Sequence, residues 1–276
     1  MRYPAVAGMF YQANPESLAR EVKWLLEVNK GQKIEKGNIV ICPHAGYIYS
    51  GKTAALSFLA IEEVLKKDNS TAIIIGPNHT GLGEPIAVSL DEWKTPIGTS
   101  LTDINLALEL IKNCHLMQKN ELAHFHEHSI EVMLPFIQTI NPKTKIVAIC
   151  LGTQEKRIAK IVGQAIDETI KQKEFQKKPI AIIASSDFSH YLSGEEARKL
   201  DMIAIEKIEK LDVDGFEDLV YKKDLSICGY GPITAAMEIA KLEGKKMGKL
   251  LKYTNSGIET NSSEDRVVAY ASIVFV

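Results

Sequence analysis

The chain has 276 residues, 45% of them hydrophobic and 25% charged, with 33 basic against 35 acidic side chains and a formal net charge of −2. Balanced charge of this kind excludes a nucleic-acid binder that works by neutralising phosphates, which needs a basic excess or a basic stripe. The length would allow two domains, but α/β units of this size are common, and one domain spanning 1–276 is the expectation.

The opening residues, Met1-Arg-Tyr-Pro-Ala-Val-Ala-Gly8, lack the apolar run of a secretory signal. The longest apolar runs, near Ile146–Leu151 and Ile180–Ala184, are too short to span a bilayer, so no membrane is expected as a partner. Cysteines 42, 114, 150 and 228 form no C-x-x-C pair. Four scattered thiols in a chain this long suit a cytoplasmic protein better than a disulfide framework.

In chain order, Asn38-Ile-Val-Ile-Cys42 reads as a buried strand, followed by a helix from Gly51 to about Lys66. Thr71–Ile75 is a second strand. A helix over Ile130–Ile140 and a strand over Lys145–Cys150 come next, then a helix from Gln154 to about Lys171. Ile180–Ala184 is a further strand, with helices over Gly194–Ile208 and Pro232–Leu242. The last segment, Val267–Val276, reads as a strand inserted within the sheet. The strands are nearly continuous apolar runs, the pattern of strands covered on both faces. Their alternation with helices predicts an α/β fold, a mainly parallel or mixed sheet with helices on both faces.

The segment after each strand is polar and rich in glycine. Pro43-His-Ala-Gly-Tyr47, Gly76-Pro-Asn-His-Thr-Gly81, Leu151-Gly-Thr153 and Ser185-Ser-Asp-Phe-Ser-His190 all lie at carboxyl ends. That edge of an open α/β sheet is where ligands bind. His44, His79 and His190 each stand just beyond a separate strand, and imidazole is both the commonest protein metal ligand and the usual acid/base group near neutral pH. One such histidine alone could serve only its own loop; three in equivalent positions favour a shared site.

Cys228, in Ile227-Cys-Gly-Tyr-Gly-Pro232 just before a helix, suits metal ligation or redox chemistry. Its position equally allows a buried structural cysteine. Cys42, Cys114 and Cys150 read as core fillers or bystanders. In His124-Phe-His-Glu-His128, His128 is the inward candidate, and His124 and His126 read as surface or rim. Asp187 either orients an imidazole or caps the turn after it. There is no P-loop, no G-x-S-x-G elbow and no dinucleotide fingerprint around Gly81 and Gly83, so no nucleotide cofactor is expected.

Six segments, in order, resemble the Memo family: Pro4–Tyr11, Pro43–Tyr49, Gly76–His79, Glu127–Glu131, Ser185–His190 and Ile227-Cys-Gly229. The resemblance implies a fold similar to the class III extradiol dioxygenases, the LigB-like enzymes that open catechol rings with non-haem iron(II). It implies His44, His79 and Cys228 as metal ligands, with cysteine where the dioxygenases usually carry glutamate. His190 then resembles the acid/base histidine with Asp187 beside it, and His128 a second pocket histidine that positions substrate. Thiolate for carboxylate softens the site toward copper, zinc or a redox-sensitive iron centre. The expected function is a metal-dependent redox or dioxygenase-like enzyme using iron or copper. The alternative is a non-enzymatic module that binds a peptide or small anion in the same pocket. A third reading is a homo-oligomer joined through Phe10, Tyr11, Tyr47 and Tyr49, although a pocket-wall role suits those aromatics better.

Overall fold

The computed structural model describes all 276 residues. Its first strands are β1 (Ile39–Cys42), β2 (Thr71–Pro77), β3 (Ile86–Ser89), β4 (Trp93–Thr95), β5 (Gly98–Ser100) and β6 (Gln118–Lys119). The remainder are β7 (Lys145–Leu151), β8 (Ile180–Ser185), β9 (His190–Leu192), β10 (Gly248–Asn255) and β11 (Val267–Phe275). The helices are α1 (Pro15–Glu27), α2 (Tyr47–Leu65), α3 (Ile104–Asn113), α4 (Leu134–Ile140) and α5 (Lys156–Ile170). They continue with α6 (Gly194–Glu209), α7 (Val213–Lys223), α8 (Tyr230–Leu242) and α9 (Ser256–Thr260).

A nine-stranded mixed sheet runs β10-β11-β1-β8-β2-β7-β3-β6, with β9 paired to β11, while β4 and β5 form a separate hairpin. The centre, β1-β8-β2-β7, is parallel throughout. β11 lies antiparallel between β10 and β1, inside the sheet as its apolar sequence predicts. Successive side chains of a strand point to opposite faces, so each central strand feeds two cores. Ile39, Ile41, Ile73 and Ile75 pack with α3, α5, α6, α7 and α8. Val40, Cys42, Ala72 and Ile74 pack with α1, α2 and α4. This double burial is why the strands carry almost no polar residue.

The structure moves several predicted boundaries. α2 starts at Tyr47, ahead of the predicted Gly51. The predicted Ile130–Ile140 helix divides into a 3₁₀ turn over Glu131–Met133 and α4, with Pro135 in the first turn of α4, where its missing N–H costs nothing. α8 starts at Tyr230, so Pro232 again sits in a first turn. β9 was not foreseen, and its three residues are too short to show a periodicity. No helix is long and apolar enough to cross a membrane.

The N-terminal segment has little regular structure, yet one ion pair ties it down. The Arg2 guanidinium pairs with the Glu131 carboxylate, and both groups are almost wholly buried. Arg2 also donates from Nη2 to the Glu127 carbonyl at 2.7 Å and from Nε to the His124 carbonyl at 3.1 Å. Glu131 accepts further bonds from the Ala5 and Val6 amides, at 2.8 and 3.1 Å, and from the Tyr11 hydroxyl. Breaking a buried pair from one side strands the other charge. Glu131→Ala should therefore lower the unfolding free energy by about 3–5 kcal/mol, read from urea titration. A loss below about 1 kcal/mol would mean that apolar packing alone holds the segment.

Candidate metal centre

The strand order, which no local pattern reveals, assembles the site. β8 lies between β1 and β2, with Cys42 level with Ser185 and Ala184 level with Ile75. His44 and His79 therefore emerge on either side of the β8 end, above Ser185 and Asp187. The loop Leu122–Ser129 brings His128 from the third side, so the rings of His44, His79 and His128 form a triangle. Their centroids are 5.1 Å apart for His44–His79, 5.4 Å for His44–His128 and 4.6 Å for His79–His128. Two glycines permit this crowding. A Cβ on Gly76 would stand 2.5 Å from Ser129 Oγ, and one on Gly229 would run into the Ser185 carbonyl.

Hydrogen bonding sets the tautomer of each ring. Ser185 Oγ donates its single proton to the Ser129 carbonyl at 2.7 Å, so at 2.7 Å from His44 Nδ1 it can only accept. The Nδ1 of His44 carries the proton, and its Nε2 is left with a free lone pair. His79 Nδ1 lies 2.9 Å from Glu127 Oε1, and a carboxylate only accepts, so the neutral ring again leaves Nε2 free. His190 Nδ1 faces the Ser226 carbonyl at 2.7 Å, with the same result. Cys228 Sγ sits 3.2 Å from His44 Nε2, and the ligating atoms of His44, His79 and Cys228 all fall within 4.8 Å of one another. A second grouping, His79, Glu127 and His128, is equally compact. There, however, Glu127 is committed to the His79 ring and to the amides of His79 and Ser129.

Electrostatics favour neutral rings at His44 and His128. Burial holds the His44 imidazole well below its usual range, and the neighbouring imidazoles of His128, His79 and His190 push the same way. Burial also brings His128 down to about 4, against the pull of Glu127. Glu127 is itself opposed by burial, but the His79 hydrogen bond, the two neighbouring imidazoles and the Ser129 amide outweigh it and bring the carboxyl down to about 2. Burial and the Asp187 carboxylate push the Cys228 thiol up, although the Asp187 amide donates to its sulfur at 3.2 Å. A bare thiolate is thus disfavoured here, and position before α8 does not by itself activate the sulfur. The Cys228 turn is clamped by Gln154, whose amide donates to the Cys228 carbonyl and accepts from the Gly231 amide, each at 2.9 Å.

All six site residues expected from the sequence gather here, but two details differ. Asp187 does not orient the His190 ring: its Oδ1 accepts the His44 amide at 2.8 Å, and Ser226 aligns His190 instead. His124, expected at the surface or rim, is fully buried against Trp93, and neither ring nitrogen has a partner. His126 is exposed, as expected. Of the four aromatics, Phe10 and Tyr49 line the cavity, whereas Tyr11 and Tyr47 are buried behind it. Cys42, Cys114 and Cys150 are core residues. The bracing residues Glu127, Ser185, Ser226 and Gln154 were not foreseen, although Glu127 and Ser185 lie inside segments already singled out. The cavity beside the histidines measures about 450 Å³ and is walled by Met9, Phe10, Tyr49, Tyr191 and Tyr270.

The Memo-like protein family model matches residues 2–274. A MEMO1 family protein of Methanosarcina mazei is 42% identical over 277 residues, covering 99% of this chain and 98% of its own. One from Archaeoglobus fulgidus is 42% identical over 275 residues, covering 100% of this chain and 99% of its own. One from Saccharolobus solfataricus is 39% identical over 286 residues, covering 99% of each. A mixed α/β protein with two histidines and a cysteine converging at its strand ends is what the fold and site define. The chain belongs to the Memo family. Among solved structures, an uncharacterized Escherichia coli protein overlaps 79% of this chain and 92% of its own, with a TM-score of 0.49 and 11% identity.

Burial raises the Asp187 carboxyl to about 7, only partly offset by the His44 and Ala45 amides. The folded state then holds this proton more tightly than the unfolded chain, so the contribution is complete below about pH 4 and disappears as pH rises through about 7. The stability of Asp187→Asn relative to wild type should therefore increase between pH 4 and 8, by up to about 4 kcal/mol in metal-free protein. Parallel urea titrations at several pH values measure it. A pH-independent difference would place the Asp187 pKa in the ordinary carboxylate range.

Proposed function

We propose that His44, His79 and Cys228 hold a redox-capable transition-metal ion, iron or copper, in a metal-dependent oxidoreductase with a LigB-like fold and dioxygenase-like chemistry. The supporting observation is convergence: two nitrogen donors and one sulfur within 4.8 Å, each imidazole with its Nδ1 proton already committed. The spacing fits an ion. Nitrogen and thiolate ligands bound tetrahedrally at about 2.0–2.1 and 2.3 Å stand about 3.5 Å apart, close to the 3.2 Å between His44 Nε2 and Cys228 Sγ. Zinc suits the same donors but brings no redox chemistry.

Iron or copper held by His44, His79 and Cys228, the last as a thiolate, would supply Lewis acidity and one-electron chemistry. The remaining work belongs to the chain. Glu127 and Ser185 fix the two imidazoles so that their lone pairs meet without reorganisation. His190, half-buried at the cavity edge with Nδ1 held by Ser226, presents Nε2 to take a proton from an acidic ligand group and to return it. Asp187 holds the His44 backbone in place. His128, stacked on His79 and 4.8 Å from the Phe10 ring, orients a flat ligand against the aromatic wall.

Protein without a histidine tag, purified anaerobically, should carry close to one iron or copper per chain by elemental analysis. His44→Ala and Cys228→Ser should each lose it while keeping the wild-type circular dichroism. Metal retained in both folded variants would overturn the ligand assignment. No metal after reconstitution of the wild type would leave a pocket that binds peptides or anions through its loops. Glu127→Gln keeps the shape of the brace but removes its charge, and should weaken metal affinity by about 10–100-fold in a chelator competition. An unchanged affinity would show that His79 needs no such support.

A further inference from the structure

The segment that joins α7 to α8 delivers two groups of the candidate site from one side. Burial alternates along it: Leu225, Ile227 and Gly229 are buried, whereas Ser226 and Cys228 between them are not. That is the two-residue period of extended backbone. Leu225 and Ile227 pack into the core shared with α5 and α8, and so peg Ser226 where it holds the His190 ring. Cys228 lies beyond the last of these pegs, in the turn that opens α8.

Two side chains hold that turn. Ser186, just past β8, accepts the Gly229 amide at its Oγ, 2.9 Å away. Gln154 reaches in from the loop after β7, on the far side of β2 from β8. Its Nε2 donates to the Cys228 carbonyl and its Oε1 accepts the Gly231 amide, each at 2.9 Å. Gly229, the N-cap of α8, has no side chain to cap with, so Gln154 satisfies one of the amides left free at this helix start. The fit is close: a Cβ on Gly231 would stand 2.8 Å from the Gln154 Cβ. Gln154 lies outside the cavity lining, so it acts through the backbone it holds.

We propose that Gln154 is the positioning residue for the sulfur donor. Its N–H fixes the Cys228 carbonyl, and with it the turn that sets Sγ 3.2 Å from His44 Nε2. Without that donor the carbonyl loses its partner, the turn rearranges to find another, and the sulfur leaves the point where the two nitrogens converge. The proposal rests on the reading of Cys228 as a metal ligand and states what makes that ligand available. A helix cap and a sulfur clamp make different demands on this side chain. Capping needs only an acceptor, and a carboxylate suits a helix N-terminus at least as well as an amide. The clamp needs a donor, which an ionised glutamate lacks. Gln154→Glu therefore separates the two roles, and Gln154→Met, of similar size, removes both.

The probe is Co(II) added to metal-free protein, because a thiolate ligand gives cobalt a near-ultraviolet charge-transfer band that nitrogen and oxygen donors do not. Chelator competition measures affinity, and urea titration of the metal-free proteins measures stability. Gln154→Glu should bind cobalt about 10–100-fold more weakly, with a smaller band per bound ion, while its urea midpoint stays at or above that of wild type. Gln154→Met should lose both affinity and stability. Wild-type affinity in Gln154→Glu, or a full band on every ion it binds, would overturn the inference. So would weakening in both variants that merely follows a lowered urea midpoint. Cobalt bound by wild type without the band, or not bound at all, would remove Cys228 from the ligands and this inference with it. A wild-type band that persists unchanged in Gln154→Glu removes only the role of Gln154.

Discussion

The candidate site depends on the buried pairing of Arg2 with Glu131. The Leu122–Ser129 loop carries Glu127 and His128 but has little regular hydrogen bonding of its own, so its buried carbonyls need donors from elsewhere. Arg2 supplies them to His124 and Glu127, and Glu131 in turn anchors the segment whose Met9 and Phe10 wall the cavity. Taking two charges out of water is costly unless nearly every donor and acceptor is satisfied. Here Glu131 gains backbone amides and a tyrosine hydroxyl besides the guanidinium. One ion pair therefore sets both the loop and the wall, and Glu127, held on that loop, sets His79.

The second constraint is crowding of imidazoles. Rings with centroids 4.6–5.4 Å apart cannot all be protonated without strong mutual repulsion, and burial opposes the charge as well. Rings with directed lone pairs are the arrangement that a cation stabilises, and the surrounding acceptors fix which nitrogen donates: a serine hydroxyl relay for His44 and a carboxylate for His79. The carboxylate brace adds negative charge behind one ligand, which makes that imidazole a stronger donor. The buried thiol is the counterpart. It is costly to ionise alone, yet it lies in contact with a nitrogen donor, so ionisation and cation binding are coupled.

The cavity joins these polar groups to an apolar, aromatic wall. His44, His79, His128, His190 and Asp187 share its lining with Phe10, Tyr49, Tyr191 and Tyr270. Such an arrangement orients a ligand by its flat face while exposing one end to the titratable groups.

The amino-acid sequence by itself determined where the strands lie and which chemical groups stand at their ends. Val40, Ile74, Val147 and Ile182 stand in runs too apolar for anything but doubly covered strands, and His44, His79, Asp187 and His190 come directly after such runs. The motif segments also identified His128 and Cys228, both distant in sequence from the strands they join. Tertiary structure decided the rest, because it depends on contacts between residues far apart in the chain. Only the insertion of β8 between β1 and β2 puts Ser185 beneath the His44 ring. Only loop packing turns Asp187 toward the His44 amide instead of His190, and buries His124 against Trp93. Local pattern can report which face of an element is apolar, but a hydrogen bond between Arg2 and Glu127, or Gln154 and Cys228, has no periodicity to leave in the sequence.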